Sequence, residues 1–240
     1  MKYLCISTLV VLVSISSANA AEKEKHLFIL SGQSNMEILD PSESFTPAVS
    51  KAFGEANVIV VKFAQWGLPI RSWYKKWKPA QGDVRVFRKA PGQKYDRLMI
   101  KVKAAVKGEK FTSFTSVTFV WMQGERDAGE KHGEVYAASL KGLIGQLAAD
   151  LGRKDVNFVI GRLSDFDMGN KKRPHWTMVR NAQVEVAEAY SRGAWVDTDD
   201  CNAGAGTKSA PSNKDLHYTA EGYRILGERF AKAAIELIKK

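Results

Sequence analysis

The sequence predicts a three-layer α/β/α sandwich around a five-stranded, mainly parallel sheet. Three observations carry this. Five short runs are mainly apolar and rich in β-branched or aromatic residues, as suits strands buried on both faces. Stretches with helical periodicity lie between them, so strands and helices alternate. No repeat, linker or composition break divides residues 21–240, which are enough for one domain with a sizeable core.

Residues 1–20 stand outside that domain. Lys2, the apolar run from Leu4 to Ile15 and the small-residue end Ala18-Asn19-Ala20 are the three parts of a cleavable signal peptide, which implies a secreted or periplasmic protein. The run is too short to cross a bilayer, and nothing after Ala21 approaches an apolar stretch of ~18 residues, so no membrane span is expected. Cys5 leaves with the leader. Cys201 alone cannot form an internal disulfide, and stability rests on an ordinary core. The formal charge of +10 falls to +9 without Lys2, 35 basic residues against 26 acidic ones. Anionic glycans fit such a surface, although scattered basic residues also suit a merely solvated one.

The strands are expected at His26–Leu30, Val58–Phe63, Val117–Met122, Val156–Ile160 and Ala194–Val196. Tyr136, Leu140, Leu143, Ile144, Leu147 and Leu151 share one face of a helix. A last helix opens at Thr219 and carries Tyr223, Leu226, Phe230, Ala234 and Leu237, while residues 97–106 and 179–190 have helical patterns too. In open parallel sheets ligands bind beyond the carboxyl ends of the strands. Ser34 follows the first strand, Gly67 the second and Gln123 the third, and His217 precedes the last helix, so all four can meet at one edge.

Each supplies a distinct chemistry. Ser34, in Ser31-Gly32-Gln33-Ser34-Asn35-Met36, can present a hydroxyl at the sheet edge, although a serine there can equally cap a helix. In Asp215-Leu216-His217, an extended backbone directs the carboxylate and the imidazole to one face, giving a serine the base it needs. Gln123, in Trp121-Met122-Gln123-Gly124-Glu125-Arg126-Asp127, can donate N–H to developing negative charge, and Glu125 and Asp127 suit a scaffold that locks this loop. The basic and aromatic residues after Gly67, including Arg71, Trp73 and Trp77, suit stacking on sugars and pairing with anionic groups on a glycan. Nucleic acid is not an expected partner. His26, His132 and His175 are isolated, and with Cys201 they form no metal-ligand spacing. Asp197, Asp199 and Asp200 read as turn residues, so no metal or cofactor is expected.

In this order, Gly32-Gln33-Ser34-Asn35-Met36, Gln123-Gly124-Glu125-x-Asp127 and Asp215-Leu216-His217 resemble the SGNH hydrolases. The similarity is to the branch of sialate O-acetylesterases and carbohydrate esterase family 6 acetylxylan esterases. The resemblance implies the SGNH-hydrolase/flavodoxin-like sandwich, with Ser34 as nucleophile and His217 as base. It also implies an oxyanion site made by the Ser34 N–H, the Gly67 N–H and the Gln123 side chain, with an acetylated carbohydrate as substrate. The superfamily often has its acid three residues before the histidine, where Lys214 stands here, so Glu125 is a second candidate beside Asp215. A hydrolase of lipid or aryl esters would share the same triad. A glycan-binding module with a degenerate site is the alternative outside enzymes.

Overall fold

The computed structural model describes residues 24–85, 90–202 and 216–240. The leader at 1–20 and Asp215 lie outside the described residues. Five strands, β1 (His26–Gly32), β2 (Val58–Ala64), β3 (Ser116–Met122), β4 (Asn157–Gly161) and β5 (Gly193–Val196), form one parallel sheet in the order β2-β1-β3-β4-β5. Every residue of β1 and β3 is buried, whereas the edge strand β2 is half-buried. This is the burial expected when both faces of a sheet are covered and only its edges are open.

Two layers of helices do the covering. On one side α2 (Phe45–Phe53) packs on α7 (Ala220–Lys239), and α7 crosses β3, β4 and β5. On the other lie α3 (Gln93–Ala105), α5 (Gly133–Leu151) and α6 (Trp176–Glu188). Tyr95 on α3 donates to Asp150 on α5 at 2.7 Å, and α5 packs along α6. Phe28 meets Phe45 edge to face at 5.5 Å, while Trp121 meets Trp73 in the same way at 5.4 Å, so the sheet carries an aromatic core on both faces. In α7 the buried Leu226, Phe230, Ala234 and Leu237 recur at helical spacing. Burying each large member of that stripe contributes about 1.5–3 kcal/mol.

The five strands and the four long helices fall where the periodicity places them, within a few residues at their ends. The short α1 (Ser34–Ile38) and α4 (Glu125–Gly129), and also α2, carry too little apolar repeat to be read. Within α2 only Phe45 and Val49 are buried, and Pro47 is accommodated because it sits in the first turn. Among the described residues no helix is long and apolar enough to cross a membrane.

The register is what matters for the site. Gly32 at the end of β1 lies opposite Ala64 of β2 and Met122 of β3. Three neighbouring strands therefore end level, and Gln33, Gln65 and Gln123 leave the sheet side by side.

Candidate active site

The site is built on that level edge. Gly32 has φ +151°, and a Cβ there would lie 1.9 Å from the Met122 carbonyl oxygen, so only glycine lets β1 turn out so close to β3. The Gln33 N–H then donates to the Met122 carbonyl at 3.0 Å, and Ser34 becomes the first residue of α1. Its N–H stands where no intrahelical acceptor exists. The Ser34 hydroxyl is almost fully buried and meets His217 Nε2 at 3.0 Å. A serine hydroxyl within hydrogen-bond reach of an imidazole is the geometry of an activated nucleophile and its base.

The half-buried His217 comes from the other end of the chain, and the segment carrying it is anchored twice. Thr219 caps α7, its side chain accepting from the Gly222 N–H at 2.9 Å, and its own N–H donates to the Cys201 carbonyl at 3.2 Å. Asn35, the neighbour of the serine, supplies the second anchor. Its Nδ2 donates to Glu125 Oε1 at 2.7 Å and to the Leu216 carbonyl at 3.2 Å, while its Oδ1 accepts from the Tyr223 hydroxyl at 2.9 Å. One buried amide thus joins the nucleophile helix, the loop after β3, the residue before the base, and α7. Asn35 was not among the residues singled out from the sequence, because as a letter beside Ser34 it has no periodicity or charge to mark it. Glu125 reaches the base segment through this amide. Burial pushes its carboxyl up from the ordinary range, against the bond from Asn35.

Gln123 is close to the nucleophile loop but differently engaged from the expected oxyanion donor. It has no solvent exposure, and its Nε2 donates to Asp127 Oδ2 at 2.6 Å, with Gln33 Oε1 at 3.2 Å and the Leu68 carbonyl at 3.3 Å sharing it. Tyr136 donates to its backbone carbonyl at 2.6 Å and Gln183 to the same oxygen at 2.8 Å. The amide is held by the loops around it. Asp127 accepts from the Ile70 N–H at 2.8 Å, so the loops after β2 and β3 are tied together beneath the site. Its complete burial outweighs these donors and holds the carboxyl at a pKa of about 7.

The loop expected to stack on sugars turns inward. Trp73 is fully buried against Trp121, and Trp77 is 6% exposed and lies edge-on to the buried His132. Arg71 pairs with Glu130 and sits 5.8 Å over the Trp77 ring. The faces of Trp73 and Trp77 are taken by the core, which corrects their assignment as substrate contacts. The aromatic that reaches the surface of the site is Trp66, 54% exposed, its ring centroid 4.6 Å from that of His217. Gly67 follows at φ +65°, a left-handed turn at the head of this loop. Among the described residues no group of three or more His, Cys, Asp or Glu side chains could hold a metal ion.

Solved structures share the fold at low identity. A carbohydrate acetylesterase from Xanthomonas citri superposes with a TM-score of 0.63 and 17% identity over 89% of this chain and 56% of its own, so this chain spans little more than half of that protein. A protein from Arabidopsis thaliana gives 0.61 and 21%, covering 89% of this chain and 98% of its own. A carbohydrate acetylesterase family member from Sinorhizobium meliloti gives 0.52 and 14%, covering 90% and 100%. None of the curated proteins matches the sequence. The family model described as carbohydrate esterase, sialic acid-specific acetylesterase matches residues 37–236, a span that includes His217 and begins three residues after Ser34. With most of its length matched in this way, the chain belongs to the sialic acid-specific acetylesterase family of carbohydrate esterases.

Proposed function

We propose that this chain is a secreted serine esterase that removes acyl groups, acetyl foremost, from carbohydrates. The observation that carries the reading is the 3.0 Å contact between Ser34 Oγ and His217 Nε2 at the carboxyl edge of the sheet, in a chain of the carbohydrate esterase family. As Ser34 attacks the ester carbonyl, His217 takes its proton, and the tetrahedral oxyanion is held by the N–H groups of Ser34 and Gly67. Collapse returns the proton to the departing sugar hydroxyl and leaves an acyl-serine. Water then attacks the acyl-serine, again losing its proton to His217, which returns it to Ser34 Oγ as the free acid departs. Asp215 is the proposed partner of the imidazole. Glu125 serves the same end indirectly, since its carboxylate and the Asn35 amide hold the residue next to the base. Gln123 and Asp127 support the site by fixing its loops. The positive charge of +10, or +9 once Lys2 leaves with the leader, suits anionic glycans, sialosides among them.

The test is acetate release from a panel of O-acetylated polysaccharides and sialosides by the wild type and by Ser34→Ala. Release by the wild type and none by the variant is expected. Highest kcat/KM on long-chain lipid esters, with acetylated sugars poor, would move the assignment to a lipid esterase.

A further inference from the structure

We propose that Trp66 is the platform on which a pyranose ring of the substrate rests, a role that builds on the esterase reading. Trp66 leaves the sheet two residues after β2, and Gln65 beside it donates its N–H to the Gly32 carbonyl at 3.1 Å, so the indole is anchored to the strand that carries the nucleophile. Trp73, Trp77, Trp121 and Trp176 are each buried to within 6% of their surface, whereas Trp66 leaves 54% of its own in water. Exposing that much aromatic surface forgoes the stabilisation its burial would bring, and among these tryptophans it happens only beside the base.

The geometry specifies what the indole can meet. Its centroid is 4.6 Å from the His217 ring at an interplanar angle of 38°, and His217 Nε2 is 3.0 Å from Ser34 Oγ. A ring lying on the exposed part of Trp66 would neighbour the Ser34–His217 pair, and the proposal is that an O-acyl group on that ring is presented to the nucleophile. A pyranose suits the position because its C–H face is apolar and its edge is polar, so it can stack on an indole while its hydroxyls stay hydrated. Trp66 is accordingly a specificity-determining residue. It touches the sugar, not the scissile bond.

A purely structural role, in which Trp66 only props the imidazole, makes a different prediction. It would slow every ester alike and shift the pH profile of kcat/KM. The experiment compares Trp66→Ala and Trp66→Phe on an acetylated pyranoside and on vinyl acetate, which has no ring to stack. The platform requires the pyranoside-to-vinyl ratio of kcat/KM to fall at least tenfold in Trp66→Ala, mainly through KM, with partial retention in Trp66→Phe and an unshifted pH profile. Parallel losses on both substrates would overturn it. Binding of the same pyranoside to Ser34→Ala, with and without Trp66→Ala, is followed by NMR line broadening and needs no turnover. Trp66-dependent binding without hydrolysis by the wild type would sink the esterase reading and keep the platform. Hydrolysis that is indifferent to Trp66 would do the reverse.

Discussion

The two sides of the site treat polar and aromatic residues in opposite ways. Beneath the nucleophile, Gln33, Gln123 and Asp127 are buried and hydrogen-bonded to one another or to the loops they tie together, and Trp73 and Trp77 fill the core beside them. At the rim, His217 is half-buried against an indole more than half of which faces water. The motif residues thus divide into a framework, whose hydrogen bonds are made internally although Asp127 Oδ1 has no hydrogen-bond partner, and a working face at the rim.

The sharpest way to break this division is to remove the working atom without touching the framework. Ser34→Ala should lower kcat by about 10⁴-fold or more while leaving the thermal midpoint unchanged, because little buried surface is lost. Near-native turnover would remove Ser34 from the chemistry. Next in size is the partner of the base. Asp215→Asn should lower kcat by about 10³- to 10⁴-fold through the wrong imidazole tautomer, and Glu125→Gln should cost less, since among the described residues Glu125 reaches the base segment through Asn35. A near-native Asp215→Asn beside a crippled Glu125→Gln, both folded, would exchange the two roles.

For the framework the readout changes from rate to stability. Gln123→Ala strips a donor from the buried Asp127 carboxylate and should destabilise the fold by about 2–3 kcal/mol, read as a lower midpoint in urea. An unchanged midpoint with kcat down about 10²-fold at constant KM would restore Gln123 to the oxyanion site.

The last prediction concerns pH dependence. The Asp127 carboxyl has a pKa of about 7 in the fold against an ordinary 3.8, so between those values the folded protein binds more protons than the unfolded chain. The resulting stability is complete below 3.8 and is lost as pH rises through about 7. Asp127→Asn removes this titration, and the thermal midpoint of the wild type should fall relative to the variant's across that window. A constant difference between the two would assign the titration elsewhere.

How much of this was legible beforehand follows the same division. The strands and long helices were readable because their signal is local: short apolar runs for β1 and β3, a repeating apolar face for α5 and α7. That Ser34 and His217 can meet was readable from chain order, one following a strand and the other preceding the last helix, and from the resemblance of their motifs to SGNH hydrolases. The fate of Gln123 was not. It depends on β1, β2 and β3 ending level, which brings Leu68, Gln33 and Asp127 around a single amide, and register between distant strands has no local mark. Trp73 and Trp77 misled for a related reason. Lysines beside them suggested a surface loop, but the 3-10 turn at Ile70–Ser72 packs against α5 and carries both rings inward.

Cys201 gives the anchoring of the base a practical use. The thiol is buried, desolvation pushes its pKa up to about 12, and the carbonyl of the same residue receives the Thr219 N–H two positions beyond the base. While that joint is closed, the sulfur offers neither access nor thiolate to an alkylating reagent. Its labelling rate is therefore a built-in clock for the opening of the segment that carries His217, read by mass spectrometry on the unmodified sequence and without any substrate.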